Sequence, residues 1–247
     1  MTQHFLRKSF VAAALVAAFG AAPQLASAAV TVTGCSGGTF GDACGLNELV
    51  AGGSMAIGGY TFSNFALSLN QGRLLNSSAI RVDAIDIAGS AGFSFVDVAG
   101  TLRAVNGDLT SNNLSFDITP LAGSPQLLGG SLRVAVGDIT GSGSYATAFA
   151  DLFNPSLTSF YGNMTAYCDG PTCTNSTVSS PLSLTGPQSA LSVVAGIDVA
   201  AAAGGLAQIN SVSMVLTPVP EPEVLPLLGL GIAALAWRQR KLRASES

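Results

Sequence analysis

The chain has 247 residues, of which 48% are hydrophobic and only 10% are charged, and its formal net charge is −4. This composition contains enough apolar residues for a folded core, so it excludes an intrinsically disordered chain. Between its two ends the chain has four arginines, no lysine and eleven acids. Such an acidic body without a basic patch excludes nucleic acid as a partner.

Residues 1–28 have the composition of a secretory signal peptide. Its parts are a basic start at Arg7 and Lys8, an uncharged apolar run at residues 10–19 and a small-residue cleavage site at Ala26 and Ala28. The apolar run is too short for an uncleaved membrane helix. We therefore expect the secretion machinery to export the chain across the inner membrane, with cleavage after Ala28.

Residues 29–217 predict an all-β domain, because short segments alternate between apolar and polar side chains and glycine-rich turns separate them. The predicted strands lie at residues 60–62, 65–69, 80–87, 93–98, 114–118, 132–136, 197–199 and 212–216. The predicted turns lie at residues 58–59, 106–108, 129–130 and 141–143. This spacing favours an antiparallel two-sheet β-sandwich, jelly-roll-like, with one short helix at 45–50; for residues 200–203 both helix and strand stay open.

The four cysteines predict up to two disulfides in an exported chain, with three possible pairings. Proximity in the sequence favours Cys35 with Cys44 and Cys168 with Cys173. A metal site is the alternative, but the chain lacks the Cys-x-x-Cys pairs of structural zinc sites, so we predict no metal.

The body lacks the side chains on which most enzyme mechanisms depend. The single histidine, His4, leaves with the signal peptide, and lysine is absent from the body. A pair of carboxylates remains as an alternative, because glycoside hydrolysis needs only two acids. Asp83, Asp86 and Asp97 are the candidates, although Asp83 and Asp86 would face opposite sides of a regular strand. We therefore expect no catalytic residue, no cofactor and no enzyme.

Two kinds of binding site stay open as alternatives. Asn106 and Asp108 form the best local fragment of a calcium site, yet the other ligands of a calcium loop are missing. Sugar binding by a sandwich usually requires exposed aromatic faces. Tyr145, Tyr161 and Tyr167 are the candidates for it, since the single tryptophan, Trp237, lies in the C-terminal tail.

The C-terminal region, residues 218–247, combines three features in a fixed order. They are the motif Val219, Pro220, Glu221 and Pro222, an uncharged apolar segment at 224–237, and a basic cluster of Arg238, Arg240, Lys241 and Arg243. A helix of fourteen residues spans about 21 Å against a hydrocarbon core of about 30 Å, so this transmembrane helix would be a marginal anchor. The basic cluster should hold its end in the cytoplasm, with the body outside.

This arrangement resembles the PEP-CTERM sorting signal of exported proteins in Gram-negative bacteria. The resemblance implies recognition and processing by exosortase, a membrane-embedded protease, and an association with exopolysaccharide and biofilm. We therefore expect a transiently anchored, non-catalytic protein of the cell surface or extracellular matrix. The alternative is a β-sandwich module that binds carbohydrate or protein, and a carboxylate-dependent glycoside hydrolase is a weaker third hypothesis.

Overall fold

The structure, a computed structural model, describes residues 30–36, 43–87 and 90–219 and, in the tail, Gly231, Ile232 and Leu235. The described residues form fourteen strands in two sheets, and every strand pair is antiparallel. The two sheets enclose one hydrophobic core. The prediction of an all-β, two-sheet sandwich is therefore confirmed.

The first sheet contains seven strands, in the order β1-β3-β4-β8-β13-β10-β11. Their bounds are β1 Thr31–Thr33, β3 Ser54–Ile57, β4 Tyr60–Gly72, β8 Leu109–Pro120, β10 Tyr145–Phe153, β11 Phe160–Asp169 and β13 Leu191–Ala200. Its central strands alternate between buried and half-exposed residues, as in β10, where the buried residues are Ala146, Ala148, Ala150 and Leu152. This alternation gives the sheet one face toward the core and one face toward solvent.

The second sheet has the order β12-β9-β14-β6-β5-β2, and β7 pairs with β14 beside this path. Its strands are β2 Cys44–Gly45, β5 Ile80–Ile87, β6 Ser90–Asp97, β7 Arg103–Val105, β9 Leu127–Thr140, β12 Thr177–Gln188 and β14 Leu206–Pro218. The edge strands β11 and β12 of the two sheets meet where the backbone N–H of Thr165 donates to Ser180 Oγ at 3.2 Å.

Helical structure is minor among the described residues of the sandwich. Helix α1 spans Leu46–Val50, within the predicted range, and 3₁₀ turns span Ser77–Ala79 and Pro171–Cys173. Residues 200–203 form neither a helix nor a full strand, because β13 ends at Ala200 and the chain then turns.

Five phenylalanines form the centre of the core between the sheets. They are Phe62, Phe65, Phe93, Phe95 and Phe116, with contacting ring centroids 4.8–6.5 Å apart. Phe93 of the second sheet contacts each of the other four. Such edge-to-face contacts add to the free energy of burying the rings, so Phe93 joins the two sheets at one point.

The predicted turn at residues 129–130 is wrong, because both glycines lie inside β9. A Cβ on Gly129 would lie 2.3 Å from the carbonyl oxygen of Leu182, and one on Gly130 would lie 2.7 Å from that of Val215. These glycines are therefore required by the close approach of the neighbouring strands β12 and β14, and they do not mark a chain reversal.

The strands run between two ends of the sandwich, which the pairing registers define. Leu127 pairs with both Pro218 and Gln188, so β9, β12 and β14 share one end. We call it the exit end, because the chain leaves the sandwich there at Val219; its described connections are residues 58–59, 121–126, 154–159 and 189–190, and β5 also ends there at Ile87. The far end is the opposite one, with connections at residues 73–79, 98–102, 106–108, 141–144, 170–176 and 201–205.

Candidate functional site

The sorting motif begins where the sandwich is completed. Strand β14 lies inside the second sheet, where it pairs with β9 on one side and with β6 on the other. It continues through Pro218, and the backbone N–H of Val219 donates to the carbonyl of Gln126 at 2.7 Å. The chain therefore stays hydrogen bonded to the sandwich up to the residue before Pro220.

The connection at 121–126, which accepts this hydrogen bond, is itself fixed to the sandwich. The backbone N–H of Leu121 and the hydroxyl of Ser124 both donate to the carbonyl of Gly59, at 2.8 and 2.6 Å. The buried Tyr60 donates its hydroxyl proton to the carbonyl of Pro125 at 2.6 Å. Burial raises the pKa of Tyr60 to about 12, so the hydroxyl remains a neutral donor across the physiological range. The connection to which Val219 is hydrogen bonded is therefore itself held in place by three hydrogen bonds.

Most of the predicted sorting signals lie outside the described residues. These are Ala26 and Ala28 of the signal peptide, Pro220, Glu221 and Pro222 of the motif, and Arg238, Arg240, Lys241 and Arg243 of the basic cluster. Within the predicted apolar helix at 224–237, Gly231, Ile232 and Leu235 are described, and all three are helical. None of the described helices is both long enough and apolar enough to cross a membrane.

The three candidate catalytic aspartates do not form an acid pair. Strands β5 and β6 pair without a register shift, so Asp83 and Asp86 lie on opposite faces of β5. Asp83 accepts two hydrogen bonds of 2.8 Å from Arg81, and the pKa of this arginine is raised by that pairing. Asp97 accepts hydrogen bonds from the backbone N–H groups of Ala99 and Leu102, so it shapes the β6–β7 connection.

The candidate calcium fragment is part of a tight turn between β7 and β8. Asn106 has a φ of 51°, a left-handed conformation that asparagine tolerates better than most residues. Its Oδ1 accepts a hydrogen bond of 2.9 Å from the backbone N–H of Gly204. This arrangement assigns Asn106 a role in joining two connections of the far end.

Of the three candidate tyrosines, the structure brings two together. Tyr145 on β10 and Tyr167 on β11 lie on the outer face of the first sheet with ring centroids 5.9 Å apart. Their rings are tilted by 36° and Tyr167 is half exposed. The pKa of Tyr167 is raised, first by desolvation and then by the negative charge of Asp169. Tyr161 instead packs against the core at the other end of β11.

Sequence reasoning missed further aromatic rings on β10 and on the neighbouring strand β11. Tyr145, Phe149 and Phe153 follow each other at intervals of four along β10, and Phe153 contacts Phe160 on β11 at 5.5 Å. Phe149 covers Gly196, where an added Cβ would lie 2.1 Å from the ring. The period-two pattern of β10 could have revealed this strand, but its buried face is mostly alanine and gives a weak apolar signal.

Both disulfides occur in the pairing that proximity in the sequence favours. Cys35 is joined to Cys44 and Cys168 to Cys173, with Cα atoms 5.4 and 5.8 Å apart. The first disulfide lies beside Glu48, whose carboxylate accepts hydrogen bonds from Ser36 and from the backbone of Gly45. These bonds, the Ser36 hydroxyl above all, lower the pKa of Glu48 below 4.5.

Two cavities between the sheets, lined by described residues, are small. Their volumes are about 10 and 20 Å³, and their linings are almost entirely apolar. A cavity of this size holds no more than one or two water molecules, whereas small-molecule sites usually measure about 300–1,000 Å³. Neither of these two cavities has room for a sugar ligand.

Comparison with protein families finds one match, and the search of curated proteins finds none. The family model of the PEP-CTERM protein-sorting motif matches residues 218–241, so the chain carries this sorting motif. It is thus marked for export and for membrane-associated sorting toward the cell surface.

Several solved structures show a distant similarity to the chain. TmCBM61 in complex with β-1,4-galactotriose matches at 9% identity and a TM-score of 0.30, covering 62% of this chain and 88% of that one. CBM35 from Cellvibrio japonicus Abf62 matches at 14% identity and a TM-score of 0.27, with 63% and 99% covered. The xylan-binding module CBM15 matches at 14% identity and a TM-score of 0.27, with 64% and 100% covered.

Proposed function

We propose that this chain is a non-catalytic protein of the cell surface or extracellular matrix that exosortase processes and that associates with exopolysaccharide. Before processing, the apolar segment at 224–237 anchors it in the inner membrane, with the sandwich outside and the basic cluster in the cytoplasm. The sorting motif at 218–241 supports the first part of this proposal.

The hydrogen bond between Val219 and Gln126 carries the proposal, because Val219 is still held by the sandwich and is followed directly by Pro220 of the motif. Every strand that the structure describes ends before Pro220. A cut near Pro220–Pro222 would therefore release the complete sandwich and remove none of its strands. A sorting signal must have this property if the cargo is to remain folded after processing.

A non-catalytic role agrees with the chemistry of the described residues. Asp83 is paired with Arg81, Asp97 is occupied by backbone N–H groups, and Asp117 is hydrogen bonded to Asn64 and Ser192. The body has no histidine or lysine that could act as a general base or nucleophile.

The intact mass of the protein recovered from its native host tests this proposal. In a strain with exosortase we expect loss of residues 1–28 together with loss of the tail beyond the 219–222 motif. In a strain without exosortase the tail, including Trp237, should remain. A tail that is retained in both strains would show that exosortase does not process the chain.

The tyrosine pair supports carbohydrate binding as a second candidate function. Tyr145 and Tyr167 present two neighbouring rings on the outer face of the first sheet, and aromatic faces are the surfaces on which sugar rings pack. Asp169 and Asp198 are placed on the neighbouring strand positions, since Tyr145 pairs with Asp169 and Thr147 pairs with Asp198. Their carboxylates would accept hydrogen bonds from sugar hydroxyls.

Affinity electrophoresis in gels that contain the host exopolysaccharide tests this second function. We expect the polysaccharide to retard the wild type and Phe160→Ala, because Phe160 is exposed at the opposite end of β11. Tyr167→Ala should migrate without retardation. Equal retardation of Tyr167→Ala and the wild type would contradict sugar binding by the tyrosine pair.

A further inference from the structure

The exit end of the sandwich has no charged residue in its connections. Its described connections, residues 58–59, 121–126, 154–159 and 189–190, contain no Asp, Glu, Lys or Arg, and neither do the strand residues that flank them. At the far end, by contrast, Arg73 and Asp108 lie in connections, and Asp97, Arg103 and Asp169 flank them. The loops and strand ends at the far end therefore carry charged residues, whereas those described at the exit end carry none.

The same end exposes several large apolar side chains. Ile87, Leu121, Leu157 and Phe160 have exposed fractions of 65%, 47%, 57% and 56%. Leu121 and Leu157 lie in two different connections, and Ile87 and Phe160 lie at the ends of β5 and β11, so the four do not belong to one loop. The far end also exposes Leu74, Val98 and Val105, but charged residues lie in or beside the same connections there. Exposed apolar groups without charged neighbours usually mark a contact surface.

Hydrogen bonds within the connection at 154–159 fix the backbone around the exposed Leu157. Asn154 Oδ1 accepts hydrogen bonds from the backbone N–H groups of Thr158 and Ser159, at 2.8 and 3.0 Å. The backbone N–H of Leu157 donates to the carbonyl of Asn154 at 2.8 Å. Leu157 itself has a φ of 56°, in the left-handed region that a leucine rarely adopts. A bulky apolar residue is thus fixed at the tip of the loop despite the conformational cost.

The tail keeps this end close to the membrane. The sandwich holds the chain as far as Val219, and the uncharged apolar segment begins at Val224. These five steps span at most about 18 Å, even when the chain is fully extended. The headgroup layer on each side of a bilayer is about 5–8 Å thick, so the exit end would stay within reach of the headgroups. The short apolar segment, only about 21 Å as a helix, would draw the domain closer still.

We propose that the exit end docks on the outer surface of the membrane that anchors the tail, with Leu121, Leu157, Phe160 and Ile87 inserted among the lipid headgroups. This inference rests on the membrane anchoring that is part of the proposed function. The docked domain presents Val219 and the motif that follows it at a fixed height, where a membrane-embedded protease can reach them. The far end, with the tyrosine pair, then points away from the lipid.

The placement of the acids is compatible with this orientation. The acids closest to the exit end, Asp86, Asp117 and Asp151, lie within strands and are not at the tips of the connections. Asp117 accepts hydrogen bonds from Asn64 and Ser192, and Asp151 accepts one from Asn163. Apart from Glu221 and Glu223 in the linker that leads to the apolar segment, the described connections of this end present no acid that an anionic lipid surface would repel.

Tryptophan quenching by brominated lipid tests the docking. The wild type has one tryptophan, Trp237, which reports on the tail itself. In a Trp237→Phe background, Phe160→Trp places a single reporter at the exit end, and Tyr167→Trp places one at the other end of the same strand. Residues 160 and 167 are similarly exposed, at 56% and 51%, and are separated by about 20 Å along β11. The full chain is reconstituted in liposomes whose lipids carry bromine high on the acyl chains.

We expect quenching of Trp237 in the wild type and of the tryptophan at 160, and none of the tryptophan at 167. Quenching of Trp237 without preferential quenching at 160 would overturn the docking and leave the anchoring intact. An unquenched Trp237 would overturn the anchoring, and the docking with it. Quenching at 160 that added salt abolishes would also overturn the proposal, because an apolar contact is not screened.

A further substitution separates docking from simple proximity. Leu157→Asn retains a residue that tolerates the left-handed conformation and removes the apolar tip. It should weaken the quenching at 160, whereas Leu74→Asn, which changes a 51% exposed leucine at the far end, should not. Equal quenching in both variants would show that Leu157 makes no contact with the lipid. Thermal unfolding of each variant confirms that the sandwich remains folded.

Discussion

The backbone N–H of Val219 donates to the carbonyl of Gln126 at 2.7 Å, and this contact is the boundary between the sandwich and its sorting signal. Strand β14 is paired on both sides up to this point. Pro218 and Val219 therefore belong both to the hydrogen-bonded sandwich and to the matched sorting motif, and the rest of the motif follows them.

Truncation at this boundary should leave the sandwich stable. A mature chain that ends at Val219 retains every paired strand, so its midpoint of thermal unfolding should match that of the tailed chain in detergent. A chain that ends at Ser213 loses the buried Met214 and Leu216 from the inner strand β14 and should fail to fold. Circular dichroism measures both, and a folded chain ending at Ser213 would contradict the assigned role of β14.

Phe93→Ala should strongly destabilise the sandwich. Phe93 is buried and contacts the four other phenylalanines at the centre of the core, so its truncation leaves a cavity between the two sheets. We expect a loss of about 3–5 kcal/mol in the free energy of unfolding, measured by urea denaturation. Phe160→Ala is the control, because it truncates an exposed ring and should cost well under half as much. Similar losses in both variants would contradict the assigned core.

Acid should remove the stability that the Glu48 carboxylate contributes by accepting hydrogen bonds from Ser36 and Gly45. Its pKa is lowered in the folded state by hydrogen bonds from Ser36 and Gly45, so the stabilisation is fully present above pH 4.5. It is lost as the pH falls below this value and the carboxylate becomes protonated. Glu48→Gln should therefore show a smaller decrease in unfolding temperature than the wild type between neutral pH and about pH 3. If the unfolding temperatures of the two proteins decreased equally with pH, this carboxylate would contribute no pH-dependent stability.

Removal of the second disulfide should reduce stability moderately. Cys168 and Cys173 are separated by five positions, and a loop this short gives about 2 kcal/mol in the loop-entropy estimate. The double variant Cys168→Ser, Cys173→Ser should remain folded, with its free energy of unfolding lowered by about this amount in urea. The disulfide between Cys35 and Cys44 closes a longer loop, so the double variant Cys35→Ser, Cys44→Ser should lose slightly more free energy of unfolding. A smaller loss for the longer loop would contradict the entropic explanation.

Leu157→Asn should stabilise the isolated domain. Leucine at a φ of 56° carries a conformational cost of roughly 1–2 kcal/mol, which asparagine largely avoids. We expect a gain of up to about 1 kcal/mol in the free energy of unfolding without lipid. Leu74→Asn, at another exposed leucine, should give no gain. A loss of stability in Leu157→Asn would show that the leucine side chain itself stabilises its loop.

The strands that the sequence predicts are those with strong apolar alternation. The range 80–87 matches β5, and the predicted segments at 60–62 and 65–69 belong to one longer strand, β4. Strands β10, β11 and β12 are not predicted, because their two faces show little contrast in hydrophobicity. The buried face of β10 is mostly alanine, β12 is rich in serine and threonine, and β11 exposes the aromatic rings of Phe160 and Tyr167. Their burial depends on neighbouring strands that are distant in the sequence.

The candidate sites also differ in whether a local sequence pattern can identify them. The disulfide pairs and the sorting motif depend on residues close in sequence, so local patterns identify them. The partnership of Tyr145 with Tyr167 requires the antiparallel register of β10 and β11, which no local pattern specifies. The same register places Tyr161 at the opposite end of the strand, apart from the other two tyrosines.

The sequence by itself determined the sorting motif, the all-β class and the absence of histidine and lysine from the body, because each of these is a property of composition or of short-range order. Only the tertiary structure decided that the uncharged connections share the end where the chain leaves at Val219, beside the exposed Leu121, Leu157 and Phe160. The physical reason is that strand direction and register, set by pairing across the whole chain, decide which connections share an end.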